Sequence, residues 1–273
     1  MTADTLKTIT TEALDTLANL LDAGHSDQLT AMLTAMARFH TYSWHNVCLI
    51  ASQRPTATRV AGFHTWRTLG RFVRKGEKGI AILAPIVGRR DVESSDEQSR
   101  PIVGFRAAYV FDVEQTDGTP LPAPSEASGD PGAKTQALTD AIVERGIVVE
   151  WVDDLDGALG TSSGGRIRLL QGLAPATAFT TLVHEYAHEL LHRADDRPAS
   201  RDTRELEAEA VAFIVGSAVG LNTADASRDY IHLYRGDRDA LASSLDRVQR
   251  AASVILAAVG PLGSARVATT HFR

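Results

Sequence analysis

The chain has 273 residues, 44% of them hydrophobic and 23% charged, with a formal net charge of −6. That is apolar enough for the cores of one large or two ordinary domains, and it excludes a chain disordered throughout. A lone cysteine, Cys48, excludes an internal disulfide framework. No basic-then-apolar leader opens the sequence and no apolar run approaches a membrane span of about eighteen residues, so a cytoplasmic protein with no membrane partner is expected.

In chain order, residues 5–23 carry leucines at helical spacing, and Gly24 ends that helix. Ser26 caps a second helix bearing Leu29, Met32, Leu33, Met36 and Phe39. Ser43 opens a third, which stops before Arg54-Pro55. From Val60 the pattern shifts to short β-like runs broken by Gly turns, then a strand from Ile80, a polar hairpin loop over 88–100, and a strand over 103–113. Four prolines and three glycines between Asp117 and Thr135 mark a linker. The second half opens with a helix over 135–145 and a strand over 146–151. A loop over 160–165 and a short strand, Arg166–Leu170, precede the apolar run from Phe179 to Leu191. A long amphipathic helix, Arg238–Val259, closes the pattern.

Inside that apolar run stands His184-Glu185-Tyr186-Ala187-His188. Helical positions four apart share a face, so both imidazoles can meet one metal ion. Glu185 can reach a water on that ion instead of the ion itself. Two His ligands leave Zn²⁺ one short of the three protein ligands of a catalytic site. A second helix beginning near Arg204 offers Glu205 as the third, with Glu209 as an outer acceptor for a ligand imidazole N–H. His192 shares the face, but a helix rises about 12 Å over eight residues, so three such histidines cannot hold one ion. It is read as a surface or helix-end residue, and Tyr186 as core. The spacing Glu205-x-x-Ala208 resembles the second motif of gluzincin metallopeptidases. In that reading Glu185 is the catalytic base, and Arg166–Leu170 is an edge strand that pairs with an extended protein substrate. Tyr230, His232 and Tyr234 are the candidates for oxyanion support.

The negative net charge hides a basic stretch. Between Arg54 and Lys78 lie seven cations and one acid, Glu77, interleaved with Phe63, Trp66 and Phe72. Cations between aromatic faces are what single-stranded nucleic acid requires.

The order Tyr42-Ser43-x-x-Asn46, Gln53-Arg54-Pro55, Gly62-Phe63-x-x-Trp66, Gly70-Arg71-x-Val73-x-Lys75-Gly76-x-Lys78-Gly79, and then Phe111-x-x-x-Gln115-Thr116, resembles the N-terminal domain of ArdC-like antirestriction proteins. The resemblance implies a single-stranded DNA-binding domain joined to a zincin-like metallopeptidase, and a mobile-element factor that protects incoming DNA. The second half is also similar to the ImmA/IrrE metallopeptidases. The expected architecture is α+β: a small α+β DNA-binding domain over 1–120, a linker over 121–134, and a mostly helical zincin-like domain with a small sheet over 135–273. Tyr42, Asn46, Arg54, Arg59, Phe63, Trp66, Arg67, Arg71, Arg74, Lys75 and Lys78 are assigned to single-stranded DNA. Two alternatives stand beside this one: a non-catalytic DNA-binding shield with a structural zinc, and an ImmA-like peptidase that cuts a repressor.

Overall fold

A computed structural model describes residues 1–23, 26–88, 101–120, 129–193, 200–222 and 238–260. The architecture is α+β with small sheets. Residues 89–100 of the hairpin loop expected at 88–100, residues 121–128 of the linker, and Tyr230, His232 and Tyr234 lie outside the described residues. Among those described, no helix is long and apolar enough to cross a membrane.

Contacts divide the chain into two units. One holds Met1–Leu14 and His45–Pro120; the other holds Asp15–Trp44 with the described part of Leu121–Ala268. The boundary expected at residue 120 is therefore not a single cut. Residues 15–44 join the second unit because the apolar stripe of helix α2 (Ser26–Arg38) needs a partner there. Its Leu29 and Leu33 share an apolar crevice with Leu206, Ala210, Leu241 and Leu245.

The first unit begins with the first turns of α1 (Ala3–Asp22). Leu6 of α1 packs with Leu49 of α3 (Trp44–Gln53) and Ala81 in the core. The sheet is antiparallel in the order β1 (Val60–Gly62), β4 (Ile102–Asp112), β3 (Ile80–Val87). Edge strand β3 has its outward backbone groups filled by side chains. Asn46 donates to the Leu83 carbonyl and accepts from the Leu83 N–H, both at 2.9 Å. Gln53 does the same at Ala81, at 2.8 and 3.0 Å. Pro85, farther along, has no N–H to satisfy. The edge is thereby closed to further strands over that stretch.

Where β-like turns were expected after Gly62, a short helix, α4 (Phe63–Thr68), forms instead. It buries Trp66, whose indole N–H donates to the Phe111 carbonyl at 2.8 Å. A two-stranded ribbon follows, β2 (Arg71–Val73) with β5 (Thr116–Gly118). Gly118 has φ +132 there, and a Cβ would meet the Gly70 carbonyl at 2.3 Å, so only glycine fits. Asp112 and Gln115 form a capping box that also holds the N–H groups of Thr58 and Arg59. The Phe-x-x-x-Gln-Thr motif thus frames the unit.

In the second unit, β6 (Val148–Val152) pairs in parallel with β8 (Arg166–Leu170), and β7 (Gly160–Ser162) pairs antiparallel with the other side of β8. Arg166–Leu170 is therefore the central strand, not the expected edge. The edge beside it is β7, in a stretch read as loop. Helix α6 (Pro175–Leu191) packs on β7 and β8 of this sheet, and its Phe179, Leu182 and Val183 are buried, as are Ile167 and Leu169 of β8. Helices α5 (Lys134–Glu144), α7 (Arg201–Ala218) and α8 (Arg238–Val259) complete the layer. Gln249 of α8 donates to the Tyr42 carbonyl at 2.9 Å, within the same unit.

Candidate metal centre

Pro175 starts α6 at a position where a missing N–H costs nothing, and the helix runs unbroken to His192 at its end. His184 and His188 sit on one face with Nε2 atoms 3.1 Å apart. Glu205, in the second turn of α7, brings Oε2 to 3.5 Å from His184 Nε2 and 3.4 Å from His188 Nε2. Ligands held 2.0–2.2 Å from a tetrahedral ion stand about 3.3–3.6 Å from one another. The two distances to Glu205 fit that spacing and the one between the imidazoles is about 0.2 Å short of it, so His184, His188 and Glu205 could hold one metal ion among the described residues. The donor set suits a divalent ion. Burial is the main reason that both imidazoles resist protonation, with His188 brought down to about 4 and the neighbouring His184 adding to the effect. Neutral imidazole is the metal-binding form.

Glu185 is buried beside the triad. Burial, then Glu205 and Glu189, push its carboxyl up to about 7 against a hydrogen bond from Ser162. Ser162 lies on β7, whose Gly160 presses directly on Glu185. Tyr186 is buried as expected, and its hydroxyl accepts from Arg145 at 2.7 Å. Glu189 accepts from the Gly165 N–H at 2.8 Å and ties α6 to the turn before β8.

The outer acceptor differs from the expected one. Glu209 is exposed on α7. The atom against His188 Nδ1 is Nδ1 of His192, at 2.8 Å. His192 terminates the helix but is buried rather than on the surface. Its Nε2 lies 3.1 Å from Oε2 of Glu207, a fully buried carboxylate that also holds Ser244 and Arg247 of α8. Burial raises the Glu207 pKa, but His192, Arg247 and Ser244 together outweigh it and hold the carboxyl below its usual range. The sequence reading missed this chain. Its visible trace is Glu207 within the run Leu206 to Val211, where the helix phase puts a carboxylate on the buried face.

The residues assigned to DNA divide into two groups. Trp66 is 2% exposed and Asn46 is buried on α3 with its amide bonded to Leu83 of β3, so both are structural and neither offers a surface to a base; both assignments are corrected. Arg71 spends its guanidinium on the Thr116 hydroxyl and the carbonyls of Thr116 and Thr119, at 2.7–2.8 Å. Arg54 pairs with Asp112 and Glu114. Arg74 pairs with Glu77 and Asp117. Tyr42 falls in the second unit, half-buried, with burial pushing its hydroxyl up to about 12. Arg59 is half-buried, while Arg67, Lys75 and Lys78 are exposed beside Phe63 and Phe72, which are 44% and 58% exposed.

Residues 4–111 match the family model of the N-terminal domain of anti-restriction factor ArdC. The uncharacterized protein pXO2-81 of Bacillus anthracis is 25% identical over 252 residues, covering 75% of this chain. The chain spans only 42% of the length of that relative. Crystal structures of the antirestriction ArdC protein of plasmid R388, metal-free and Mn(II)-bound, share the fold with TM-scores of 0.51 and 0.50. They are 18% and 19% identical, over 92% of this chain and 97% and 98% of theirs.

Proposed function

We propose that this chain, whose residues 4–111 match the family model of the ArdC N-terminal domain, is an antirestriction factor that binds single-stranded DNA and carries a zinc-dependent metallopeptidase. The observation that carries the enzymatic half is the pairing of the His184–His188–Glu205 triad with a buried Glu185 one residue along. A site that only braces the fold has no use for a carboxyl held beside the metal position by a strand and a serine. Two imidazoles and one carboxylate form the donor set of a catalytic zinc site with an open position. Manganese is the competing ion, since the R388 protein has been crystallised with Mn(II).

A bound divalent ion would polarise a carbonyl and lower the pKa of a water from 15.7 to about 7. Glu185 takes the proton of the attacking water and delivers it to the leaving amine. Ser162 orients the Glu185 carboxyl during both transfers. The edge of β7 is the place for an extended peptide, which can pair with its backbone next to Glu185. Arg67, Lys75, Lys78 and the exposed rings of Phe63 and Phe72 support the DNA-binding half.

The test is cleavage of casein, or of the chain itself, by the zinc-loaded protein with and without single-stranded DNA, beside Glu185→Gln. Cleavage that needs Glu185 and rises with DNA is expected. Tight DNA binding with no cleavage under any condition would leave a DNA shield with a structural metal.

A further inference from the structure

His188 has two ring nitrogens, and the site uses both. Nε2 stands 3.1 Å from His184 Nε2 and 3.4 Å from Glu205 Oε2, so it faces the metal position and must present a lone pair there. A neutral imidazole carries one N–H, which then belongs on Nδ1. We infer that His192 and Glu207 are positioning residues that lock His188 in this metal-binding tautomer, an inference that rests on the metal reading above.

The lock follows from the order of donors and acceptors. His188 Nδ1–H donates to Nδ1 of His192 at 2.8 Å, which puts the His192 proton on Nε2. That Nε2–H donates to Glu207 Oε2 at 3.1 Å. The reverse order would set the lone pair of His192 Nε2 against a carboxylate oxygen and place the His188 proton on the metal side. With a neutral His192, Glu207 opposes that order, because an ionised carboxylate only accepts. Its charge is held by Arg247, whose Nε donates at 3.1 and 3.2 Å to the two oxygens and whose Nη2 donates to Oε1. The Ser244 hydroxyl adds a bond at 2.6 Å. Helix α8 thus fixes the proton on a ligand of α6 through a carboxylate of α7. Outer partners of this kind change metal affinity by about 10–100-fold when removed.

Two substitutions separate the lock from simple packing. His192→Gln keeps a carbonyl to accept from His188 and an amide N–H to donate to Glu207. His192→Phe fills the space and does neither. Zn²⁺ affinity, measured by chelator competition on the full chain, should fall about 10–100-fold in His192→Phe and recover most of that loss in His192→Gln. Long-range ¹⁵N–¹H spectra of the metal-free wild type should show His188 protonated on Nδ1 and His192 on Nε2. A His188 proton on Nε2, or wild-type affinity in His192→Phe, overturns the lock, and the spectra decide even if His192→Phe fails to fold. A wild type that binds no Zn²⁺ at all instead removes the metal reading and the lock's purpose with it.

Discussion

A Cβ added to Gly160 would stand 2.9 Å from Glu185 Cγ, 3.0 Å from its Oε1 and 2.7 Å from Thr181 Cγ2. The edge strand can cross α6 at the Glu185 carboxyl only because nothing projects from residue 160. Thr181 is β-branched and stiff, so the strain of Gly160→Ala would move Glu185 or lift β7. Displacements of about 1 Å cost on the order of 10²-fold in rate. Gly160→Ala should lose turnover on that scale while binding Zn²⁺ like the wild type, since it leaves the triad untouched. Equal kcat in the two proteins would separate β7 from the chemistry.

Asn46 is the counterpart in the first unit. Its amide satisfies both backbone groups of Leu83 on an edge strand. Asn46→Ala leaves a part-buried donor and acceptor without their partner, at a cost of about 1–3 kcal/mol each before water repairs part of it. Hydrogen exchange should show the Leu83 amide losing protection. DNA affinity should hold at temperatures where the variant is folded. A variant with wild-type protection at Leu83 and weakened DNA binding would return Asn46 to the DNA surface.

These two positions show what can be read from residues and what cannot. The HExxH face and helix Arg238–Val259 are local patterns, since spacing of three and four along one chain already specifies a shared face; Glu205 stands on another helix, and only the resemblance of Glu205-x-x-Ala208 to a peptidase motif pointed to it. Strand β7 has no such pattern. Gly160-Thr161-Ser162 reads as loop, and it is extended because β8 pairs with it. Helix α4 is short and follows glycine, and burial of Trp66 holds it. Asn46, Arg71 and Trp66 look like surface residues because their partners, Leu83, Thr116 and Phe111, lie 37 to 45 residues away. The role of His192 was hidden for the same reason, with Glu207 on another helix.

Cys48 supplies a test of the first unit that involves neither metal nor DNA. Burial pushes its thiol up to about 12. Iodoacetamide reacts with the thiolate, so alkylation of the folded protein at pH 8.5 should be slow and should rise when the chain is unfolded in urea. The sign for stability follows. The unfolded thiol ionises above about 8.5 while the folded one keeps its proton, so this group's contribution is complete below about 8.5 and is lost as pH rises toward 12. Rapid alkylation of the native protein at pH 8.5 would contradict the burial.

On the proposed DNA-binding reading, the exposed cations set the path of the strand. Each phosphate contact on a single strand contributes about 0.7 to the slope of log affinity against log salt. Arg67, Lys75 and Lys78 are exposed, and replacing all three with Gln should lower that slope by about 2 if each meets one phosphate. Arg71 is the control. Its guanidinium joins β2 to the end of β5 through the Thr116 hydroxyl and two carbonyls, so Arg71→Ala should lower the melting temperature and leave the slope unchanged. Phe72→Ala should weaken binding at every salt concentration without changing the slope, because base stacking releases no counterions. An unchanged slope in the triple variant would move the DNA path off this ribbon, and a reduced slope in Arg71→Ala would mean that its guanidinium leaves the carbonyls of Thr116 and Thr119 for phosphate.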